Sequence, residues 1–238
     1  MGVIYTMKCS KNLLISCIIL LSIGLIMGLI LQKKSVKPVF SSSETIKILI
    51  DAGHGSPDGG AVGTAGTIEK DINLSIAQKL GDILSANGFI VEYTRTGDEG
   101  LQDESAKTIR DMKLSDMKKR RELMGNSKAN LFISIHMNSF TNHSAKGLHI
   151  FYSAKHEEII KPLAENIQDH IAEITGAQAH TVKTVSEKLF LMKDPPLPCI
   201  LAECGFLSNP EEEKLLSQEE YQSKIAWAIA EAIEEFYS

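Results

Sequence analysis

Cysteine is scarce in this chain and poorly placed for bridging. Of the four in 238 residues, Cys9 and Cys17 fall in an apolar N-terminal region, while Cys199 and Cys204 flank Glu203. That is no disulfide framework. Cys199 and Cys204 read instead as small buried apolar side chains, because a bridge between them would distort the stretch that carries Glu203. Basic charge is short as well. The formal net charge is −5, and five of the 25 basic residues (Lys8, Lys11, Lys33, Lys34 and Lys37) lie in residues 1–40, which hold no acid. The remainder therefore sets 20 basic residues against 30 acidic ones, a formal charge of −10. It has no electrostatic footprint for nucleic acid. An anionic polymer must be recognised locally, not by bulk charge. The chain also lacks a GxxxxGK[ST] phosphate loop, a glycine pattern that fits a dinucleotide fingerprint, and any visible repeat.

What is present fits one substantial α/β domain behind an apolar leader. Hydrophobic content of 43% and charged content of 23% are ordinary for a globular protein. Residues 13–31 run without a charge, long enough to span a bilayer as a helix and longer than a signal-peptide core of about 7–15 residues. The expected organisation is a short cytoplasmic n-region (1–12), a transmembrane signal-anchor or signal peptide (13–31), a polar tether (32–45) and one folded domain (46–238). Lysines flank both ends of the apolar run, so charge alone does not orient it. A single N-terminal anchor ahead of a folded domain places that domain outside the cytoplasm, membrane-anchored or secreted.

Three apolar runs in the domain each end in a titratable residue. Lys47-Ile48-Leu49-Ile50-Asp51-Ala52 leads into Gly53-His54-Gly55, Leu131-Phe132-Ile133-Ser134-Ile135 leads into His136, and Cys199-Ile200-Leu201-Ala202 leads into Glu203. Glycines on both sides of His54 permit a sharp turn and a close approach. In an open α/β sheet, ligands bind beyond the carboxyl ends of the strands. If the three runs lie in one parallel sheet, His54, His136 and Glu203 converge on one edge.

The other elements follow from periodicity. Ile72, Ile76, Leu80, Ile83 and Leu84 recur at helical spacing in a helix opened by Glu69-Lys70-Asp71 and ended by Asn87-Gly88. The pattern predicts a strand over residues 89–94 and so a βαβ unit with a parallel pair. It predicts a helix over 115–128, a strand over 147–152, a helix over 155–174, a short strand at Leu189-Phe190-Leu191-Met192 and a closing helix. The glycine-dense loop 56–66 reads as a mobile rim over a site. The basic run Lys118-Lys119-Arg120-Arg121 reads as a solvated helix face.

Two histidines and a carboxylate with an open fourth position are what a catalytic zinc requires, and a second carboxylate nearby is suited to moving protons. His54, His136, Glu69 and Glu203 are the candidates. Spacing alone leaves open which carboxylate binds metal and which handles protons.

The motifs Ile50-Asp51-Ala52-Gly53-His54-Gly55 with Asp58 and Gly60-Ala61, Glu69-Lys70-Asp71-Ile72-Asn73-Leu74, Thr94-Arg95, Ser134-Ile135-His136-Met137-Asn138 and Leu201-Ala202-Glu203-Cys204-Gly205-Phe206-Leu207-Ser208-Asn209 occur in one order along residues 46–238. Together they resemble the zinc-dependent N-acetylmuramoyl-L-alanine amidases. The resemblance implies a single α/β domain with a central, mostly parallel sheet flanked by helices. It implies one Zn²⁺ held by His54, Glu69 and His136, with Glu203 as catalytic acid/base. Arg95 and Asn138 become candidates for substrate contact or for support of the site. The implied substrate is the amide between N-acetylmuramic acid and L-alanine in peptidoglycan. The family more often has Asp-Pro-Gly where this chain has Asp51-Ala52-Gly53, a difference expected only to loosen a turn. With an anchor and no visible wall-binding module, the chain is most similar to the germination-specific amidases of spore-forming bacteria, which act in spore cortex on the way to muramic-δ-lactam. An activating protein partner is compatible with this. A zinc peptidase acting on the stem peptide, and a non-catalytic membrane-tethered peptidoglycan-binding protein, are the alternative readings.

Overall fold

The computed structural model describes residues 45–185 and 189–238. The expected n-region (1–12), the expected signal-anchor or signal peptide (13–31) and the expected tether through residue 44 lie outside the described residues. Among the described residues no helix is long and apolar enough to cross a membrane.

The domain alternates strands and helices: β1 (Lys47–Ala52), α1 (Glu69–Ala86), β2 (Ile90–Tyr93), α2 (Ile109–Asn126), β3 (Leu131–Asn138), β4 (His149–Tyr152), α3 (Glu157–Thr175), β5 (Lys183–Thr184), β6 (Cys199–Phe206), α4 (Pro210–Leu216) and α5 (Glu219–Tyr237). One six-stranded sheet runs in the order β2-β1-β3-β6-β4-β5. The first four of these are parallel, so β1, β3 and β6 do end on one edge. β4 runs antiparallel to β6 and carries β5 parallel beside it.

The two faces of the sheet are covered unequally, and strand periodicity dictates which side chains go where. Ile48 and Ile50, Leu131, Ile133 and Ile135, and Ile200 and Ala202 point to the face covered by α1, α3 and α5. Each large apolar side chain fully buried there contributes about 1.5–3 kcal/mol relative to exposure. The alternate residues Leu49, Phe132, Cys199 and Leu201 point to the other face. There they meet Met124 of α2 together with Leu191, Met192 and Leu197. By the same alternation Asp51, Ser134, His136 and Glu203 belong to this second face. Because it is thinly covered, it can hold a cleft.

Two of the predicted elements are placed differently in the structure. α2 begins at Ile109 and not near residue 115, because Thr108 caps it. The Thr108 Oγ1 accepts the Asp111 N–H at 3.1 Å and donates to Asp111 Oδ2 at 2.7 Å, an N-cap that starts a helix ahead of its apolar stripe. Leu189–Met192 is not a strand, since Phe190–Met192 forms a 3₁₀ turn. Four contiguous apolar residues carry no period that separates strand from turn. Here Leu191 and Met192 bury against α2 and take no place in the sheet.

Candidate metal and catalytic site

The site forms where β1, β3 and β6 end and α1 begins. His54 lies just beyond β1 with φ of +63°, in the left-handed region where a non-glycine residue is held by its surroundings and not by its own preference. His136 and Glu203 sit in register on adjacent strands β3 and β6. Glu69 is the first residue of α1 and is buried. One donor atom from each of His54, Glu69 and His136 can be chosen so that all lie within 4.8 Å of one another.

Glu69 is the hub of this cluster. Its Oε1 lies 3.0 Å from His136 Nδ1 and its Oε2 lies 3.2 Å from His54 Nε2. Oε1 also accepts the Met137 N–H at 3.1 Å, and Oε2 the Ala61 N–H at 2.8 Å. Burial would raise the Glu69 carboxyl, but the two imidazoles outweigh it and hold the group well below the usual carboxylate range. Burial likewise pulls against a charged His54, yet Glu69 and Asp58 beside it raise its pKa overall. Two imidazoles gathered on one buried carboxylate fit a divalent cation such as zinc in donor type and number. Two glycines make room for the rings. A Cβ at Gly53 would stand 2.2 Å from His136 Nε2, and one at Gly60 2.5 Å from Glu69 Oε2.

Glu203 behaves differently. Its Oε2 is buried and has no hydrogen-bond partner among the described residues. Burial raises its pKa, the charge of Glu69 adds to the rise, and His136 and His54 only partly oppose it. A carboxyl whose pKa is raised beside a cation-binding cluster is suited to taking and giving a proton. The two carboxylates left equivalent by spacing are thus separated by environment. Glu69 is bonded on both oxygens and held ionised, whereas Glu203 keeps one oxygen unbonded at the cleft.

Beside these residues opens a cavity of about 370 Å³. Ile109, Met112 and Met117 of α2 form one wall, and Leu189, Leu191 and Met192 form another. His54, His136 and Glu203 line the same cavity, so a substrate group lodged there would reach the cluster.

Arg95 and Asn138 bond to the backbone around the site. Arg95 is buried and donates to the carbonyls of Ala52 (3.0 Å), Gly53 (3.0 Å), Lys70 (2.8 Å) and Gly97 (2.8 Å). It holds the turn that carries His54. Asn138 closes the end of β3, its Oδ1 accepting the Ser139 N–H at 2.9 Å.

The basic run is not one solvated face. Lys119 is exposed, but Arg120 is 3% exposed and lies against Asp51, itself 1% exposed. The Arg120 Nη1 donates to Asp51 Oδ1 at 2.5 Å and to the Ala52 carbonyl at 2.9 Å, and Nη2 donates to the His54 carbonyl. Arg121 folds the other way and donates to the carbonyls of Phe190 and Lys193. A helix turns 100° per residue, so neighbours in a run cannot share a face. The signal that would have singled out Arg120 is the i,i+4 row Asp116, Arg120, Met124. The glycine-dense loop is likewise tied down. Glu213 of α4, 2% exposed, accepts the N–H groups of Ala65 (2.9 Å) and Thr67 (3.2 Å) and the Thr64 hydroxyl (2.7 Å).

Residues 48–235 match the family described as N-acetylmuramoyl-L-alanine amidase. The chain belongs to this family. Its reaction is the family's, hydrolysis of the amide that joins N-acetylmuramic acid to L-alanine in peptidoglycan. Among amidase relatives, the germination-specific N-acetylmuramoyl-L-alanine amidase of Bacillus subtilis (strain 168) is 37% identical over 191 residues, covering 80% of this chain and 79% of the relative. The solved structure of the CwlD amidase from Clostridioides difficile in complex with the GerS lipoprotein superposes with a TM-score of 0.77 at 39% identity, covering 81% of this chain and 98% of that one. The catalytic domain of the amidase CwlV from Bacillus (Paenibacillus) polymyxa var. colistinus superposes with a TM-score of 0.69 at 31% identity, covering 81% and 98%.

Proposed function

We propose that this amidase is zinc-dependent, is held outside the cytoplasm by its N-terminal apolar segment, and strips stem peptides from muramic acid in spore cortex peptidoglycan. The observation that carries the reading is the cluster of His54, Glu69 and His136, with donor atoms within 4.8 Å, beside the unpartnered Oε2 of Glu203. His54, Glu69 and His136 would hold the zinc. When bound, zinc supplies a Lewis acid to the scissile carbonyl and lowers the pKa of the attacking water. Glu203 accepts the proton of that water and passes it to the leaving amine of L-alanine. The apolar walls of the cavity border Glu203, and the Arg95 bonds keep the His54 turn in place. The cortex role is supported by similarity to the germination-specific B. subtilis enzyme and to the C. difficile CwlD amidase. The lipoprotein bound to the latter supports a protein partner for this chain too.

The test is to load the folded domain (residues 44–238) with zinc, incubate it with cortex and with vegetative peptidoglycan, and detect products by mass spectrometry. Intact peptides with L-alanine at the amino end should be released, faster from cortex. Release should stop with a chelator and fall by about 10²- to 10⁴-fold in Glu203→Gln. Cleavage within the stem peptide, or full turnover by Glu203→Gln, would sink the reading.

A further inference from the structure

We propose that Asp58 is a positioning residue for His54, fixing which ring nitrogen faces the metal, and that Lys113 of α2 holds Asp58 in that role. The inference rests on the reading of His54 as a metal ligand given above. The two nitrogens of the His54 ring are divided between two carboxylates. Nδ1 lies 3.0 Å from Asp58 Oδ2, whereas Nε2 lies 3.2 Å from Glu69 Oε2, inside the ligand cluster. A neutral imidazole carries one N–H and one lone pair. An ionised Asp58 can only accept, so it draws the N–H to Nδ1 and leaves the Nε2 lone pair for a cation.

Asp58 is itself built into place. Its backbone N–H and carbonyl exchange hydrogen bonds with Gly55, at 2.9 and 3.0 Å. Its Oδ1 accepts the Gly60 N–H at 3.2 Å and pairs with Lys113 Nζ at 2.9 Å. Each carboxylate oxygen thus has a separate task, Oδ2 toward the histidine and Oδ1 toward the loop and helix. The need for such a clamp is visible in the backbone. His54 sits at φ +63°, so its own conformational preference does not aim the ring. Gly60 packs against the ring edge, where a Cβ would come within 2.7 Å of His54 Cδ2. Lys113 projects from the same helix that walls the cavity, which links the substrate cleft to the aim of a metal ligand.

The experiment measures zinc affinity of the full-length chain in detergent by competition with a chromophoric chelator. Wild type, Asp58→Asn, Asp58→Ala, Lys113→Met and His54→Ala are compared, each with a melting curve of its metal-free form. Asp58→Asn and Asp58→Ala should weaken zinc binding by about 10- to 100-fold while the metal-free melting point stays close to wild type. Lys113→Met leaves the Asp58 turn intact, and it should weaken binding by about two- to fivefold, the worth of an exposed ion pair. Proton NMR of the zinc-loaded chain should show a slowly exchanging His54 ring N–H that Asp58→Ala loses. If His54→Ala loses zinc but both Asp58 variants bind within threefold of wild type and keep that proton, the positioning role is refuted and the metal reading stands. If wild type binds no zinc, both fall together.

Discussion

Replacing Arg120 by alanine should be among the most damaging single changes in this domain, although it lies in a run of four basic residues. Arg120 is the cation that touches the buried carboxylate of Asp51. Without it, among the described residues, the Asp51 carboxylate keeps the hydroxyls of Ser134 (2.5 Å) and Thr94 (2.6 Å), and the carbonyls of Ala52 and His54 each lose a donor. Removing one partner of a buried ion pair costs about 3–5 kcal/mol. For a domain of this size each kcal/mol moves the melting point by about 2–4 °C, so a fall of about 6–20 °C is expected at pH 7. Lys119→Ala, on an exposed residue paired with Glu122, should stay within about 0.5 kcal/mol of wild type. The pH dependence adds a second check. Burial pushes the Asp51 carboxyl up, but Arg120, Ser134 and Thr94 together hold it below its ordinary value. A depressed folded pKa means stability that is present above the ordinary aspartate pKa of about 4 and lost as pH falls through the lower folded value. In Arg120→Ala the largest interaction opposing burial is gone, so much of that stability is already missing at neutral pH. The gap between wild type and variant should therefore narrow in acid. Thermal unfolding by circular dichroism at pH 7 and in a series down to pH 3 measures both. A variant that melts within 2 °C of wild type, or a gap independent of pH, would refute the reasoning.

Gly53→Ala should abolish stoichiometric zinc binding while the domain remains folded, because the added Cβ would overlap the His136 ring at 2.2 Å from Nε2; metal analysis after dialysis decides, and a full equivalent of zinc would contradict it. Cys199 and Cys204 are buried and unbridged, with burial raising both thiols. In a chain whose Cys9 and Cys17 are replaced by serine, neither should react with a thiol reagent before unfolding, and rapid labelling of the native protein would show the packing to be wrong.

The sequence by itself determined the chemistry and its order along the chain. A continuous apolar run bounded by turn residues reads as a buried strand, so the residues at which three such runs end were assigned without coordinates, and a parallel arrangement alone brings such ends to one edge. His54, His136 and Glu203 were legible for that reason. Glu69 was legible as the opening of a helix and as one of two candidate carboxylates, and the family's motifs were needed to give it a role. Tertiary structure decided what surrounds each charge. Asp51 and Arg120 are 69 residues apart, and Glu213 pins Ala65 across 148, distances over which no local period carries information. Whether a carboxylate binds metal or moves protons depends on how many donors reach it and how much water is excluded. Those quantities differ between Glu69, bonded on both oxygens, and Glu203, whose Oε2 has no partner among the described residues, and they exist only once the chain has closed around them.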